Sequence, residues 1–335
     1  MKANLLNAVS VATCLGLSSL GATMAGGVWR APSPEFETED ARSSAKSDLA
    51  VLTDARGRQV DASTYQRIVS LNTVADHILL ALVEPERLVG VTQYTVETNP
   101  LGYRFGQATT LAQSKDVEAV LALRPDLVVI SKFAGEDYMA RLRERGVAVF
   151  DLGEMRGVVD TVGDIEVLGQ LLKEPARAER LRNDYLRNLS ALESAVSDRD
   201  RPRGIYLSVL GDSLFGGTVG SSYADLLHYG GIRDLAAERG FEGWPRYSPE
   251  QLLALDPPVI VTGLGRRKAI CRHALLGRLS ACGKEGRVVE MPNKNHSDPG
   301  LGLVHAAQDL QLQVHGIKPQ LSHEIKRNED AKTGE

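Results

Sequence analysis

Short apolar runs alternate with amphipathic stretches through the first half of the chain. The runs are rich in β-branched side chains, which is typical of buried strands. The stretches between them repeat apolar residues every three or four positions, as surface helices do. The predicted strands are RIVSL, RLVGVT, DLVVIS and VAVFDLG, and the predicted helices are TVADHILLALV, DVEAVLAL and DYMARLRERG. This alternation with short connections predicts a parallel sheet flanked by helices, preceded by a β-hairpin at LAVLTDARGRQV.

A long helical stretch without strands follows, and then a second α/β series begins at GIYLSVL. One apolar stripe at helical spacing marks a single helix over 174–199; its members are Leu181, Tyr185, Leu189, Leu192 and Val196. We therefore predict an α/β fold with two parallel-sheet lobes, 48–173 and 200–318, joined by one long helix. The polar tail over 319–335 has no periodicity and is predicted to be disordered.

An internal repeat supports this division. DVEAVLALRPDLVVIS matches SPEQLLALDPPVIVTG under a constant shift of 132 residues, so that Glu118 corresponds to Glu250 and Pro125 to Pro257. Both copies have the order cap, short helix, proline, strand, and we expect Asp116 and Ser248 to cap the two helices. The two lobes are predicted to share this local architecture.

The N-terminus has the layout of an export signal. Residues 1–25 combine a lysine near the start, an apolar middle and small residues before Gly26, which predicts a signal peptide cleaved near Ala25. A frayed or buried first helix, and a lipoprotein with Cys14 at its new end, are the alternatives. Residues 26–47 are polar and aperiodic, and we interpret them as a flexible leader.

Removal of the signal would leave Cys271 and Cys282 as the two cysteines of the chain. An even count in an exported protein favours a disulfide, and so short a loop would add about 2–3 kcal/mol of stability. Two free buried thiols are the alternative. Two cysteines without spaced histidines do not make a zinc site.

Composition excludes several classes of function. The net charge is −4 and the basic residues are scattered singly, so no nucleic-acid partner is expected. After residue 30, no uninterrupted apolar stretch has the length of about 18 residues that a membrane span needs. No Walker loop, Gly-x-Ser-x-Gly element or His-Glu-x-x-His motif is present.

The stretch GIYLSVLGDSLFGG raises the possibility that Ser213 is a nucleophile of a GDSL-type esterase. In that family an Asp-x-x-His element supplies the base, and the only such element here is Asp225–His228 on the helix that follows the same loop. Side chains there would point along that helix, away from Ser213. We therefore interpret Ser213 as a polar loop residue and keep the esterase as the alternative.

Taken together, several stretches resemble the substrate-binding proteins of bacterial ABC importers for vitamin B12, iron–siderophore complexes and haem. They are RIVSLNTVADHILLALVEPERLVGVT, DVEAVLALRPDLVVIS, SSYADLLHYGGIRDLAAE, GWPRYSPEQLLALDPPVIV and DPGLGLVHAAQDL. The resemblance covers about residues 48–312. It implies two lobes bridged by a rigid helix, with the ligand in the cleft between them, bound by loops at the carboxyl ends of the strands. It also places GDSLFGG at the cleft.

The resemblance implies site residues as well. In the vitamin B12-binding protein, a glutamate of each lobe docks on the permease, and these positions match Glu118 and Glu250. An acidic residue there would also complement its helix dipole. Trp244 stands where that protein places a tryptophan against its ligand, whereas its first-lobe aromatic position is Ala112 here. The expected cleft residues are Asn72, Thr73, Tyr94, Tyr103, Arg104, Ser131, Lys132, Ser213, Phe215, Ser222, Trp244, Arg246 and His296.

The function expected from this resemblance is that of a monomeric periplasmic protein, without catalytic residues or a resident cofactor, that carries a metal chelate to an inner-membrane ABC permease. Arg104, Lys132, Arg246 and His296 would together suit an anionic chelate, which favours an iron–siderophore complex over cobalamin or haem. Tyr94 or Tyr103 could ligate haem iron, or they could stack on any flat ligand.

Overall fold

Two separate sheets, each flanked by helices, form the framework of the computed structural model. It describes residues 50–98, 102–111, 116–132, 134–292 and 300–321. The predicted signal peptide, leader and His296 lie outside the described residues, as does most of the predicted tail. The α/β class with two sheets and one long connecting helix is confirmed.

The first sheet is entirely parallel and has the order β5-β4-β3-β6-β7. A separate antiparallel hairpin precedes it, as predicted. The strands are β1 (Val51–Thr53), β2 (Gln59–Asp61), β3 (Ile68–Ser70), β4 (Leu88–Thr92), β5 (Thr109–Leu111), β6 (Leu127–Ile130) and β7 (Ala148–Asp151). The helices are α1 (Thr73–Leu82), α2 (Gln93–Thr98), α3 (Val117–Ala122), α4 (Glu136–Glu144) and α5 (Val158–Leu171).

The second sheet has the order β11-β9-β8-β12-β13, with β10 paired to β8. Its strands are β8 (Arg203–Leu210), β9 (Ser213–Gly217), β10 (Arg233–Asp234), β11 (Arg246–Tyr247), β12 (Val259–Gly263) and β13 (Arg287–Met291). The helices after α5 are α6 (Pro175–Val196), α7 (Ser222–Tyr229), α8 (Leu235–Glu238), α9 (Pro249–Leu255), α10 (Arg267–Arg272) and α11 (Leu303–His315).

The second sheet is mixed, which corrects the prediction of a purely parallel one. The segment expected to be a loop at GDSLFGG is strand β9, which pairs antiparallel with β8, and β11 pairs antiparallel with β9. The connection is a two-residue turn in which Gly211 has a φ of +58°, a conformation that glycine adopts without strain. The β8–β9 hairpin therefore extends past the parallel part of the sheet.

The repeat predicted from the sequence is present in the structure. Asp116 caps α3 and Ser248 caps α9, each through its side-chain oxygen. The two copies also share a backbone feature that the sequence does not reveal: Arg124 has a φ of +47° and Asp256, 132 positions later, a φ of +42°. Left-handed backbone is uncommon for residues other than glycine. Its recurrence shows that the two helix-to-strand connections follow the same path.

Helix α6 joins the lobes and packs its predicted stripe inward. Tyr185, Leu189, Leu192 and Val196 are buried. The first three belong to an apolar cluster that includes residues of both sheets, such as Ile68 and Tyr206. The described chain from residue 50 onward is one compact unit. The two sheets therefore share a core through α6 and its neighbours.

A hydrogen bond connects the start of α5 to the second lobe. Oδ2 of Asp225, on α7, accepts from the backbone N–H of Val158 at 2.7 Å. Gly157 just before it has a φ of +141°, and a Cβ there would lie 2.0 Å from that carboxylate oxygen. Burial raises the pKa of Asp225, while the bond from Val158 acts in the opposite direction by favouring the charged form. Asp225 thus caps a helix of the other lobe.

Cys271 of α10 and Cys282 form a disulfide, with their Cα atoms 5.5 Å apart. Both pack against the apolar cluster of the second sheet. At the C-terminus the folded body extends slightly beyond residue 318, because Nε2 of Gln308 donates to the carbonyl of Pro319 at 2.6 Å and Leu321 is buried.

Candidate functional site

The carboxyl ends of the first-lobe strands bring four of the predicted site residues to one edge. Asn72 and Thr73 follow β3, and Ser131 and Lys132 follow its neighbour β6. Oδ1 of Asn72 accepts from the N–H groups of Val74 and Ala75 and caps α1. Asn72 and Ser131 are buried at 3% and 7% exposure. These two side chains therefore shape the edge, and Thr73 and Lys132 are the more accessible ones.

A buried carboxyl group lies beneath this edge. Asp76 is completely buried, and burial raises its pKa to about 6. Its Oδ2 accepts from the hydroxyl of Thr92, which interacts with the hydroxyl of Thr95 at the start of α2. This network connects the ends of β3 and β4 and fixes the backbone that presents Tyr94.

Three aromatic residues of the second lobe make ring contacts, and Tyr94 of the first lobe interacts electrostatically with two of them. The rings of Tyr206, on β8, and Tyr223, on α7, stack with centroids 3.5 Å apart, and Trp244 meets Tyr223 edge-on at 5.2 Å. Tyr94 of the first lobe lies close enough to contribute to the electrostatics of both tyrosines. Burial is the main cause that raises the pKa of Tyr206 and Tyr223. Tyr206 and Tyr223 are thus neutral hydrogen-bonding aromatics around neutral pH.

Gly217 makes this stack sterically feasible. It lies opposite Tyr206 in the β8–β9 ladder. A Cβ at Gly217 would lie 2.7 Å from the ring of Tyr223. A side chain there would push Tyr223 away from Tyr206. Trp244 is 57% exposed and Tyr94 46% exposed, so this aromatic cluster (Tyr94, Tyr206, Tyr223 and Trp244) has accessible ring surface on both sides.

Three more of the predicted residues contact one another at the β8–β9 hairpin. The guanidinium of Arg246 donates to Oγ of Ser213 at 3.0 Å and lies 5.8 Å from the ring centroid of Phe215. Arg246 is opposite Phe215 in the β9–β11 ladder. Ser222 is buried at the start of α7. The hairpin therefore holds one cation near the aromatic cluster.

The arrangement around Ser213 does not support the esterase alternative. The partner of its hydroxyl is Arg246, which cannot act as a base. Asp225 binds the amide of Val158, and His228 faces Glu193 of α6 at 2.7 Å. A serine nucleophile needs a base within hydrogen-bond reach, and both candidates are directed elsewhere.

Two of the predicted cations have acidic neighbours in the structure. Lys132 forms an ion pair with Glu154. Arg104 lies within electrostatic range of Glu84, beyond the C-terminal end of α1, whereas Asn72 caps the opposite end of that helix. The chain runs from the carboxyl end of β4 back to the amino end of the parallel strand β5. Arg104 belongs to this return segment and therefore lies away from the carboxyl ends of the strands. Its neighbour Tyr103 belongs to the same 3-10 segment and is 64% exposed.

Glu118 and Glu250 occupy equivalent positions in the first turns of α3 and α9, and both are exposed. Glu118 pairs with Arg141 at 3.1 Å, where both side chains are largely in solvent. Hydrogen bonds from its own backbone N–H and then from Ser248 lower the pKa of Glu250. Both carboxylates therefore lie at the protein surface.

Sequence reasoning missed Tyr206 and Tyr223. Tyr206 lies inside a strand that reads as buried core, and Tyr223 directly follows the predicted Ser222. The available signal was the glycine pair Gly216–Gly217, because adjacent glycines inside a strand indicate a close approach by another group.

Two further properties concern the part of the chain that the structure describes. None of the helices there combines the length and apolar character needed to cross a bilayer. No group of three or more His, Cys, Asp and Glu side chains in that part of the chain could hold a metal ion.

Comparison with known proteins identifies related chains. A cobalamin-binding protein of Halobacterium salinarum (strain ATCC 29341 / DSM 671 / R1) is 28% identical over 201 residues, which is 59% of this chain and 54% of the relative. The vitamin B12-binding protein of Yersinia pestis (strain Pestoides F) is 22% identical, with 60% and 70% covered. The match thus spans about half the length of the archaeal relative.

Among solved structures, the periplasmic haem-binding protein RhuT of Roseiflexus sp. RS-1 superposes with a TM-score of 0.64 at 23% identity, covering 74% of this chain and 97% of that one. This likeness supports the two-lobed fold. The family model described as "Periplasmic binding protein" matches residues 68–295, more than half of the chain. The chain belongs to the periplasmic binding protein family.

Proposed function

We propose that this protein captures a flat, tetrapyrrole-type metal chelate between its two lobes, with cobalamin as the first ligand to test. It would work in the periplasm and pass the ligand unchanged to an inner-membrane ABC permease. The aromatic cluster carries this proposal, because residues of both lobes contribute rings to it. The relatives named above, which bind cobalamin and haem, support the same class of ligand.

The geometry of the cluster favours a broad, flat ligand. Aromatic rings prefer offset-stacked or edge-to-face contacts, and each such contact adds about 0.5–1.5 kcal/mol beyond area burial. The Tyr206–Tyr223 stack is already satisfied, so it forms a rigid floor. Trp244 and Tyr94 are the partly exposed members, and they can contact a macrocycle from opposite lobes.

Charge favours this ligand over an anionic siderophore complex. Of the four basic residues expected around an anionic chelate, Lys132 pairs with Glu154 and Arg104 lies beyond the far end of α1. Arg246 remains beside the cluster, and His296 is outside the described residues. Electrostatic recognition of a multiply charged chelate needs a converging set of cations, whereas a corrin with neutral amide side chains does not.

Replacing Trp244 by Ala should weaken binding of cyanocobalamin about tenfold, because it removes the most exposed ring of the cluster. Isothermal titration of the exported protein with cyanocobalamin, haemin and a ferric siderophore would measure the three affinities. Trp244→Phe should retain most of the affinity, since it keeps an aromatic face.

Leu186→Ala is the matched control, because Leu186 is an exposed apolar residue on α6. Its affinity should equal that of the unmodified protein. Preference for the siderophore, or equal affinities for the Trp244→Ala and unmodified proteins, would disprove the proposed ligand class.

We further propose that Glu118 and Glu250 dock the loaded protein on the permease. Their equivalent positions in the repeat give one exposed carboxylate per lobe at a separation fixed by α6. Bidentate pairing of carboxylates with arginines of a partner is specific in geometry and strong. The ion pair of Glu118 with Arg141 is exposed and therefore easily exchanged.

The variant Glu118→Ala/Glu250→Ala should abolish cobalamin uptake by the native host while cyanocobalamin affinity in vitro stays unchanged, because the carboxylates would contact the permease and not the ligand. Glu179→Ala, which removes an exposed carboxylate of α6, is the control and should support normal uptake. Wild-type uptake by the double variant would refute docking through these residues.

A further inference from the structure

The N-terminal hairpin β1–β2 inserts an arginine at the carboxyl edge of the first sheet. Nε of Arg56 donates to Oδ2 of Asp151 at 2.5 Å. Asp151, the last residue of β7, is 1% exposed. The same guanidinium donates to the carbonyl of Lys132 at 3.1 Å and to that of Ala134 at 2.9 Å. One side chain thus bridges a buried carboxylate and the loop that follows β6.

The hairpin turn that presents Arg56 is itself tightly held. Oδ1 of Asp54 accepts from the N–H groups of Arg56 and Arg58, each at 2.9 Å. The amide of Ala55 donates to the carbonyl of Asp151 at 2.9 Å. Because the side chain of Asp54 bonds the backbone of its own turn, the backbone of Arg56 is fixed. The guanidinium is thereby directed toward the loop after β6.

Each carboxylate oxygen of Asp151 accepts a hydrogen bond from a different partner. Oδ2 accepts from Arg56, and Oδ1 accepts from the N–H of Gly153 at 2.7 Å. The carbonyl of Gly153 in turn accepts from the N–H of Lys132 at 3.1 Å. The side-chain hydrogen bond to Asp151 is the main cause that raises the pKa of Arg56. The loop after β6 is therefore held from two sides, by Arg56 and by the segment after β7.

From these contacts we infer that Arg56 is a positioning residue for the ligand cleft: it fixes the backbone of Lys132 and Ala134 at the edge where the first lobe faces the ligand. The inference rests on the proposed function, because the loop contributes to affinity only if a ligand binds at this edge. The hairpin lies outside residues 68–295, which match the family model.

The chemistry of the guanidinium is necessary for this role. Its planar fork reaches a carboxylate and two carbonyls at once, whereas a lysine has three donors on one compact ammonium. The carbonyls of Lys132 and Ala134 need the far arm of the fork. Arg56→Lys should therefore keep part of the contact with Asp151 and lose the hold on the loop.

The test uses Arg56→Met, Arg56→Lys and the control Arg58→Met. Arg58 lies in the same hairpin and pairs with Glu136, where both side chains are about half exposed. The first readout is hydrogen–deuterium exchange of residues 130–135 without ligand. The second is the affinity for cyanocobalamin, measured alongside the melting temperature.

Arg56→Met should accelerate exchange in the loop at least tenfold and weaken cyanocobalamin binding about five- to twentyfold. Arg56→Lys should give intermediate values, and Arg58→Met should match the unmodified protein in both. Asp151→Asn should resemble Arg56→Met, and the double variant should be no worse than either single one, because both remove the same interaction.

Unchanged loop exchange in Arg56→Met would overturn the inference, as would faster exchange with unchanged affinity. If the unmodified protein does not bind cyanocobalamin or haemin, the proposed ligand class fails instead. The exchange experiment then still decides whether Arg56 holds the loop, because it needs no ligand.

Discussion

Gly157→Ala should destabilise the protein by about 3–5 kcal/mol, which would lower the melting temperature by roughly 10 °C. A Cβ there would lie 2.0 Å from Oδ2 of Asp225, and the φ of +141° belongs to a region that residues with side chains avoid. The variant must displace the carboxylate that caps α5, so the hydrogen bond from Val158 is lost as well. Thermal unfolding followed by circular dichroism would measure the change.

Gly163→Ala is the matched control within the same helix. Gly163 is inside α5, and nothing lies within 4 Å of the position that a Cβ would occupy. Alanine is favoured over glycine inside a helix by about 1 kcal/mol, so this variant should be as stable as the unmodified protein or more stable. If both variants melted alike, the contact between Gly157 and Asp225 would not be a constraint on the fold.

Asp164→Asn should raise the stability by about 5 kcal/mol at pH 8 and have little effect at pH 4. Asp164 of α5 is buried at 6% exposure, and its Oδ2 has no hydrogen-bond partner in the described part of the chain. Burial, and then the nearby charge of Asp160, raise its pKa to about 8. Denaturant unfolding of both proteins from pH 4 to pH 9 would test this prediction.

The sign follows from proton binding. Between the unfolded pKa near 4 and the folded pKa near 8, the native state holds a proton that the unfolded state has released. The free energy of unfolding is therefore highest at low pH, and it falls by up to about 1.4 kcal/mol per pH unit as the pH rises through this window. Asp198→Asn, at an exposed position after α6, should leave the profile unchanged. Parallel profiles for the unmodified and Asp164→Asn proteins would contradict a buried, protonated Asp164.

Hydrophobic periodicity was sufficient to predict the α/β class, the connecting helix and the repeat. The stripe from Tyr185 to Val196 is buried as expected, because side chains on one face of a helix can reach only one layer of the core. The strand β9 was not predicted, because GDSLFGG contains turn-forming residues on both sides of a short apolar pair. Its pairing with β8 is a tertiary interaction that local propensity does not encode.

The candidate site was harder to predict than the fold. Trp244, Tyr94 and Arg246 were expected in the cleft because of the resemblance to a family. The position of Arg104 depends on how the chain returns from β4 to β5, and the partner of Lys132 is 22 residues away. Neither the position of Arg104 nor the ion pair of Lys132 produces a periodic pattern in the sequence. The role of Arg56 was not predicted, because the three long-range hydrogen bonds of its guanidinium reach residues 76 to 95 positions away in the sequence.

The apolar core that runs from one sheet through α6 to the other limits how this protein can release a bound molecule. Separating the lobes widely would expose side chains such as Tyr185 and Leu192, which are almost fully covered. Burial of such a side chain contributes about 1.5–3 kcal/mol, so thermal motion alone supplies only slight opening. Under the proposed function, ligand release therefore requires mechanical work from the membrane transporter. The protein would reach the transporter in nearly the same conformation with and without its ligand.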